Sequence, residues 1–341
     1  MLAPYELGPI RPPSEAQSLL IRVTRNCPWN KCEFCPVYKG RKFSRRSVDE
    51  VKRDIDAAAE YHGDAFQAAF LQDADAINVN TGELEEIIRH LKKRFPSVKR
   101  ITTYGRALSA GRKSVEELAR LKEAGLTRLH MGLESGSQKI LDYICKGPKV
   151  KRIIEAGQKV KQSGISLSEY VILGLGGKDM WREHALETAR VLNAIDPDFI
   201  RVRTLRIVEG TPLWDKLASG EFGRMTDEEI AVEERLLIEN LEGIKSYFAS
   251  DHSLNLLMEI EGQLPDEKET MLAVIERYLS LPVREKRLFE LGRRMNVFWC
   301  LEDIEKRKKR RAIVEKEIEA IESESGASVE DVTFQLMGRM I

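Results

Sequence analysis

Cys27, Cys32 and Cys35 fall within nine residues, in the order Cys-x4-Cys-x2-Cys. The short apolar run Leu19-Leu20-Ile21-Arg22-Val23 directly precedes them. Three thiols on one tight loop are poor packing residues, but as thiolates they are good soft ligands. The pattern reads as the ligand set of a [4Fe–4S] cluster whose fourth iron is left open. Two alternatives stand beside that reading. A structural zinc ion needs a fourth Cys or His, and the next candidates are His62, at the end of an expected helix, and Cys145. A closed, electron-carrying cluster would take Cys145 or Cys300 as its fourth thiolate. Outside such a role, those two cysteines read as small buried hydrophobes.

The elements that must position this loop follow from hydrophobic periodicity. Between about residues 17 and 215, short β-branched runs alternate with amphipathic helical stretches, the pattern of βα units around a parallel sheet. Strands are expected at Leu19–Val23, Ala68–Leu71, Arg100–Tyr104, Arg128–Leu133, Leu167–Leu173 and Phe199–Leu205. Helices are expected from the Ser47-x-x-Glu50 capping box to about Tyr61, and from about Gly82 to Phe95. Further helices follow the Ser114-x-x-Glu117 box, span Val150 to Ser163, and span His184 to Ile195. Gly125, Gly164 and Asp196-Pro197 supply stops. Six βα-type units result, two short of a full eight-stranded barrel. After Thr226-x-x-Glu229 the chain reads as helices alone, broken near Gly262, Pro265, Pro282 and Ser323–Gly326. The run Lys306-Arg307-Lys308-Lys309-Arg310-Arg311 reads as a solvated helix face.

Bulk properties narrow the function. Lys+Arg and Asp+Glu both number 55, giving zero formal net charge. That leaves no global electrostatic case for a nucleic-acid or anionic-membrane partner. Five cysteines with three clustered do not make a disulfide framework. No apolar segment follows Met1–Glu6 as a signal peptide would require, and Tyr170–Gly177, the most apolar stretch, is too short to span a bilayer. The expected compartment is the reducing cytoplasm.

Four stretches carry a family resemblance. They are the cysteine loop with its Cys32-Glu33-Phe34-Cys35 ending, the turn Gly132-Leu133-Glu134-Ser135-Gly136-Ser137, the strand Ser168-Glu169-Tyr170-Val171-Ile172-Leu173-Gly174-Leu175-Gly176, and the exit Glu209-Gly210-Thr211-Pro212-Leu213. Together they resemble the radical S-adenosylmethionine (SAM) superfamily, in its Elp3/coproporphyrinogen-oxidase-like branch, over residues 17–215 and more loosely to about 295. The chain departs from the usual motif by one extra residue between the first two cysteines. It also lacks the glycine pair usual after the second strand, where Gln72-Asp73-Ala74-Asp75 stands.

The resemblance implies an α/β fold: a partial (β/α)6 TIM-type barrel over residues 1–222 with an α-helical C-terminal extension, 223–341, over its opening. It implies an oxygen-sensitive enzyme that binds a [4Fe–4S] cluster through Cys27, Cys32 and Cys35, and SAM on the open iron. An electron, from a donor such as a flavodoxin or ferredoxin, would cleave SAM to a 5′-deoxyadenosyl radical. That radical would abstract hydrogen from an unidentified small substrate. Phe34 and Tyr38 are placed near the adenine, Asp73 and Asp75 near the SAM ammonium, and Glu134 and Ser135 near the ribose or methionine part. Ser168 is placed at the ribose. Arg203, which shares a strand face with Arg201, is placed at the SAM carboxylate or an acidic substrate. Tyr104 and Arg106 are candidates by position. In the helical region, Ser250-Asp251-His252-Ser253-Leu254-Asn255 is the one polar cluster with catalytic residue types, and His252 is the candidate proton shuttle. A helix-capping role for Ser250 or Asp251 is the alternative. Some relatives of this branch imply a different outcome, a non-catalytic iron–sulfur or haem-trafficking protein.

Overall fold

The apolar runs form strands where alternation and β-branching place them, and most of their residues are buried. In the computed structural model, which describes residues 4–323 and 328–340, these are β1 Leu19–Arg22, β2 Ala68–Gln72, β3 Arg100–Gly105, β4 Leu126–Glu134, β5 Ser166–Leu173 and β6 Phe199–Thr204. Pairing of β1 with β2, β2 with β3 and β3 with β4 is parallel. Near-continuous burial along β2 and β5 is what a parallel sheet covered on both faces demands.

Two further strands, β7 Tyr247–Ala249 and β8 Glu261–Gln263, pair antiparallel and extend the hydrogen-bonded order to β1-β2-β3-β4-β5-β6-β7-β8. This corrects the expectation that no strand follows residue 226. Each segment is only three residues long, too short for a period-2 signal to stand out. Among the described residues no pairing closes the sheet back onto β1, so the fold is a mixed α/β open sheet of barrel type.

The helices form where caps and apolar spacing agree. Helices α1 Val48–His62, α2 Thr81–Arg94, α3 Val115–Ala124 and α4 Val150–Gln162 follow the first strands. Reciprocal capping boxes at Ser47/Glu50 and Ser114/Glu117 satisfy the first free N–H groups of α1 and α3. Val51, Ile55 and Ala58 of α1 and Leu84, Ile87, Ile88 and Leu91 of α2 are fully buried. Each of the buried valine, leucine and isoleucine side chains contributes about 1.5–3 kcal/mol. Helix α5 spans Gly177–Ile195, seven residues earlier than its expected start at His184. Asp179 in its first turn suits the positive end of the helix dipole.

The later helices are α6 Asp227–Glu239, capped by the Thr226/Glu229 box, α7 Lys268–Leu279, α8 Val283–Arg294, α9 Lys308–Ser323 and α10 Val329–Arg339. The expected break at Ser323–Gly326 falls mostly outside the described residues. The basic run is interrupted, since a short helix ends at Lys306 and α9 begins at Lys308. Its members are mostly exposed, and flanking acids pair with several of them, Arg311 with Glu285 and Glu315 among them.

Contacts divide the chain into two compact units. One holds residues up to Leu133, Leu141–Tyr170 and Ala194–Phe199; the other holds Glu134–Ile140, Val171–Asn193 and the chain from Ile200 onward. No described helix is long and apolar enough to cross a membrane.

Candidate functional site

In the first unit the cysteine loop is closed at its base by a two-stranded antiparallel ribbon, Thr24–Arg25 with Ser44–Arg45. Asp73, just past the end of β2 and 0% exposed, ties both shoulders of the loop. Its carboxylate accepts from Arg22 Nη2 at 2.9 Å, from the Asn26 backbone N–H at 3.2 Å, and from the Tyr38 hydroxyl. Arg22 precedes the loop, Asn26 adjoins Cys27, and Tyr38 follows Cys35. Burial, with the Asp73 charge adding to it, pushes the Tyr38 phenol up, so Tyr38 remains a neutral donor.

Asn26 and Asn30 adopt positive φ, 66° and 49°. That region is open to asparagine at lower cost than to branched residues. Further along, Trp29 Nε1 donates to Cys145 O at 2.7 Å, and Glu33 N–H donates to Ile144 O at 3.0 Å. The Trp29 ring fills the space over Gly147, where a Cβ would come within 2.7 Å of it. Arg106 and Lys31 lie over the same ring at 5.4 and 5.1 Å.

Cys27, Cys32 and Cys35 are half-buried, and no disulfide joins them. A turn closed by Cys35 N–H on Cys32 O at 3.3 Å brings the latter pair around. Among the described residues, no group of three or more His, Cys, Asp or Glu side chains could hold a metal ion. His62, the nearest histidine in sequence, bonds Tyr5 Oη at 3.0 Å and packs edge-on against Tyr61 and Phe66. Three thiols on one braced loop are the donor type that a [4Fe–4S] cluster takes, one short of a closed four-thiolate set. Cys145 departs from the expected buried hydrophobe. It is exposed, with its thiol 3.5 Å from Glu33 Oε1. Cys300 is half-buried.

The other candidates of this unit lie at or near strand ends. Asp75 is fully buried and accepts from Ser109 Oγ at 2.6 Å, Asn78 Nδ2 at 3.2 Å and Arg106 N–H at 3.0 Å. Burial pushes its carboxyl up, against those bonds. Both carboxylates therefore serve the chain itself, Asp73 at the cysteine loop and Asp75 at the exit of β3. Phe34 and Tyr38 are buried, and the half-buried Tyr104 ring meets Phe70 edge-on at 5.0 Å. Ser168 is fully buried, and its hydroxyl has no hydrogen-bond partner among the described residues. A buried orphan hydroxyl of this kind asks for a ligand or water partner. Glu169 beside it is also fully buried.

In the second unit the Glu134–Ser137 turn is built almost entirely by its own small residues. Ser135 Oγ accepts from Ser137 N–H at 3.1 Å, and Ser137 Oγ accepts from Ile140 N–H at 3.2 Å. Ser137 thus caps the short helix that follows, and Ser135, 0% exposed, bonds within the turn. Gly136 donates its N–H to Thr188 Oγ1 at 2.8 Å and lies so close to α5 that a Cβ would stand 2.2 Å from Glu187 O. Glu134 itself is half-buried with φ 62°, and His184 Nε2 approaches its carbonyl at 3.2 Å.

The Ser250–Asn255 segment is not a helix cap. It is the loop between β7 and β8, and it lies along β6. Asp251 pairs with Arg201, and Asn255 bonds the backbone of Val202 and Thr204. His252 Nδ1 accepts from Leu254 N–H at 3.1 Å. Burial, then the neighbouring Arg203, pushes the His252 imidazole down to about 4. The ring is thus neutral near pH 7. Sequence reasoning gave no role to Arg22, Trp29 and Glu233. For Arg22 and Glu233 the available signal was a charged residue interrupting an apolar pattern, and for Trp29 a large aromatic in a polar loop; neither says what the residue touches.

Comparison with known proteins gives the same picture. The family model described as the Radical SAM superfamily matches residues 21–189. Over 207 residues the chain is 26% identical to a tRNA uridine(34) acetyltransferase of Methanocaldococcus jannaschii, covering 59% of this chain and 34% of that protein. Over 123 residues it is 32% identical to a biotin synthase of Clostridium botulinum, covering 36% of this chain and 37% of the synthase. The chain thus spans about a third of the length of these relatives. Among solved structures, the cobalamin-dependent S-adenosylmethionine radical enzyme OxsB, with aqua-cobalamin and S-adenosylmethionine bound, aligns with a TM-score of 0.51 at 15% identity. The alignment covers 94% of this chain and 54% of OxsB, a likeness of fold.

Proposed function

Since the chain carries a Radical SAM superfamily domain over residues 21–189, we propose that it is a radical SAM enzyme. It binds a [4Fe–4S] cluster through Cys27, Cys32 and Cys35, and SAM beside it. When bound, the cluster supplies one electron to the SAM sulfonium, and the carbon radical so released takes hydrogen from a small substrate. The reducing electron comes from a carrier of flavodoxin or ferredoxin type.

The residues of this chain supply position and environment. Asp73 holds Arg22, Asn26 and Tyr38, so the loop that presents the thiols has one carboxylate bracing both its ends. Trp29 anchors the middle of the loop to Cys145 O. Phe34 and Tyr38 form its apolar wall, and Ser168 offers a buried hydroxyl to the SAM ribose. Tyr104, in the same unit, is a further candidate for a polar contact to SAM. The single observation that carries the reading is the three-cysteine loop, braced by Asp73, inside the matched domain. The zero net charge supports a small substrate over a polyanion.

Anaerobic reconstitution followed by iron and sulfide assay tests the ligand set. About four irons per chain are expected, with loading lost in Cys27→Ala, Cys32→Ala or Cys35→Ala. Dithionite and SAM should then yield 5′-deoxyadenosine. An intact cluster that forms none would place the chain with non-catalytic iron–sulfur or haem-trafficking proteins.

A further inference from the structure

Strand β6 carries two arginines on one face, and their surroundings differ. Arg201 is paired with Asp251. Arg203 has no such partner: its Nε is buried and makes no hydrogen bond among the described residues. A guanidinium left without an acceptor in a half-buried site is costly unless something completes it.

The β7–β8 loop fixes what stands beside Arg203. Asn255, 1% exposed, donates to Val202 O at 2.9 Å and to Ser250 Oγ at 3.0 Å, and it accepts from Thr204 N–H at 2.7 Å. With Asp251 on Arg201, the loop is pinned at positions 201, 202 and 204, on both sides of Arg203. His252 sits within this pinned stretch. Its Nδ1 accepts the Leu254 N–H, which leaves the ring proton on Nε2 as a donor. Arg206 follows two residues beyond β6, and its guanidinium donates to the Gly338 carbonyl at 2.7 and 3.1 Å, not to a carboxylate. Of the two carboxylates of the loop, Asp251 is spent on Arg201 and Glu259 accepts the Leu301 N–H at 3.0 Å. The Arg203 charge acts on both neighbours, adding to burial in lowering the His252 imidazole and the Arg206 guanidinium. Asp251, which also acts on His252 in the opposite sense, is held by Arg201, so among the described residues no carboxylate pairs with Arg203 itself.

We propose that Arg203 and the Nε2–H of His252 form a carboxylate receptor, and that the substrate of this enzyme is a carboxylic acid held there. The inference rests on the enzymatic reading above. An arginine fork with an adjacent imidazole N–H matches the two oxygens of a carboxylate, and the planar fork discriminates against neutral groups. The methionine carboxylate of SAM has the same chemistry, so the experiment must separate the two sources.

The test is isothermal titration calorimetry on the reconstituted full-length protein, using succinate as the probe acid, succinamide as the neutral control, and SAM. Succinate binding, weakened about tenfold or more in Arg203→Met and partly kept in Arg203→Lys, is expected, with SAM affinity unchanged. His252→Ala should weaken succinate in the same direction, and His252→Gln, which keeps an N–H donor, should weaken it less. If succinate fails to bind while SAM affinity falls about tenfold in Arg203→Met, the receptor serves the SAM carboxylate and the substrate assignment falls. If neither ligand responds to Arg203→Met in a variant whose melting temperature is unchanged, the receptor itself is refuted. Cluster loading and deoxyadenosine formation report on the enzymatic reading separately, because neither measurement depends on succinate.

Discussion

Glu233 Oε1 stands 3.2 Å from His184 Nδ1, and both side chains are fully buried. Neither of these two atoms makes a hydrogen bond among the described residues. The other carboxylate oxygen accepts the Gly174 N–H at 2.5 Å, and the far side of the imidazole faces Glu134 O at 3.2 Å. One carboxylate on α6 thereby sets the backbone at two strand exits, β4 at Glu134 and β5 at Gly174, both at positive φ.

Removing that carboxylate separates its charge from its shape. Glu233→Ala strands a buried N–H and a buried imidazole, and should lower stability by about 3 kcal/mol. Glu233→Gln keeps an acceptor for Gly174 and should cost less. Urea unfolding measures both. Equal urea midpoints in all three proteins would mean that this carboxylate does not set the two strand exits.

Asp73 makes a similar prediction for the cysteine loop. Asp73→Asn keeps the volume but loses the charge facing Arg22, which retains Glu6 as a second partner at 2.9 Å. A loss of about 1–3 kcal/mol is expected. Iron should also leave the reconstituted variant faster under a chelator, because the loop ends at Asn26 and Tyr38 are less firmly held. Unchanged iron retention would reduce Asp73 to a purely structural residue.

The six main strands and the three capping boxes were legible because each rests on a local pattern: an apolar run, or Ser/Thr with Glu three residues on. The three clustered cysteines were legible by type and spacing. What stayed hidden was direction. Nothing in the sequence told whether Asp73 and Asp75 turn toward a ligand or back onto the chain, and both turn back. Nor could it pair Asp251 with Arg201, fifty residues away, or distinguish Arg203, which has no acid, from Arg201, which has one. Such pairings are set by which segments the fold lays side by side. The three-residue strand β7 lies at the edge that β6 offers, and β8 pairs in turn with β7.

Gly136 and Gly164 separate crowding from backbone strain. A Cβ on Gly136 meets a helix backbone carbonyl at 2.2 Å, whereas Gly164, at φ 77°, has open space around it. Gly164→Ala should cost about 1–2 kcal/mol from the left-handed conformation alone. Gly136→Ala has to displace α5 or the turn after β4, and should cost about 3 kcal/mol or more. Comparable losses in the two variants, read by thermal unfolding, would show that the turn yields more easily than its packing implies.

Glu234 carries a pH prediction. Burial raises its carboxyl to about 8, with the neighbouring Glu233 charge adding and Ser250 opposing. The folded state therefore holds a proton that the unfolded chain, with an ordinary carboxyl near 4.5, has already released. Between those two values unfolding sheds a proton, so rising pH favours the unfolded state. The slope reaches at most about 1.4 kcal/mol per pH unit for one group. Glu290, raised to about 7 chiefly by burial and then by Asp227, acts in the same direction over a narrower window. Stability should accordingly fall from mildly acidic pH toward pH 8. Glu234→Gln should flatten that fall and be the more stable protein at pH 8, with little difference at pH 5. Urea midpoints taken across this range decide it: parallel curves for the two proteins would mean that Glu234 titrates as an ordinary carboxyl in the folded state.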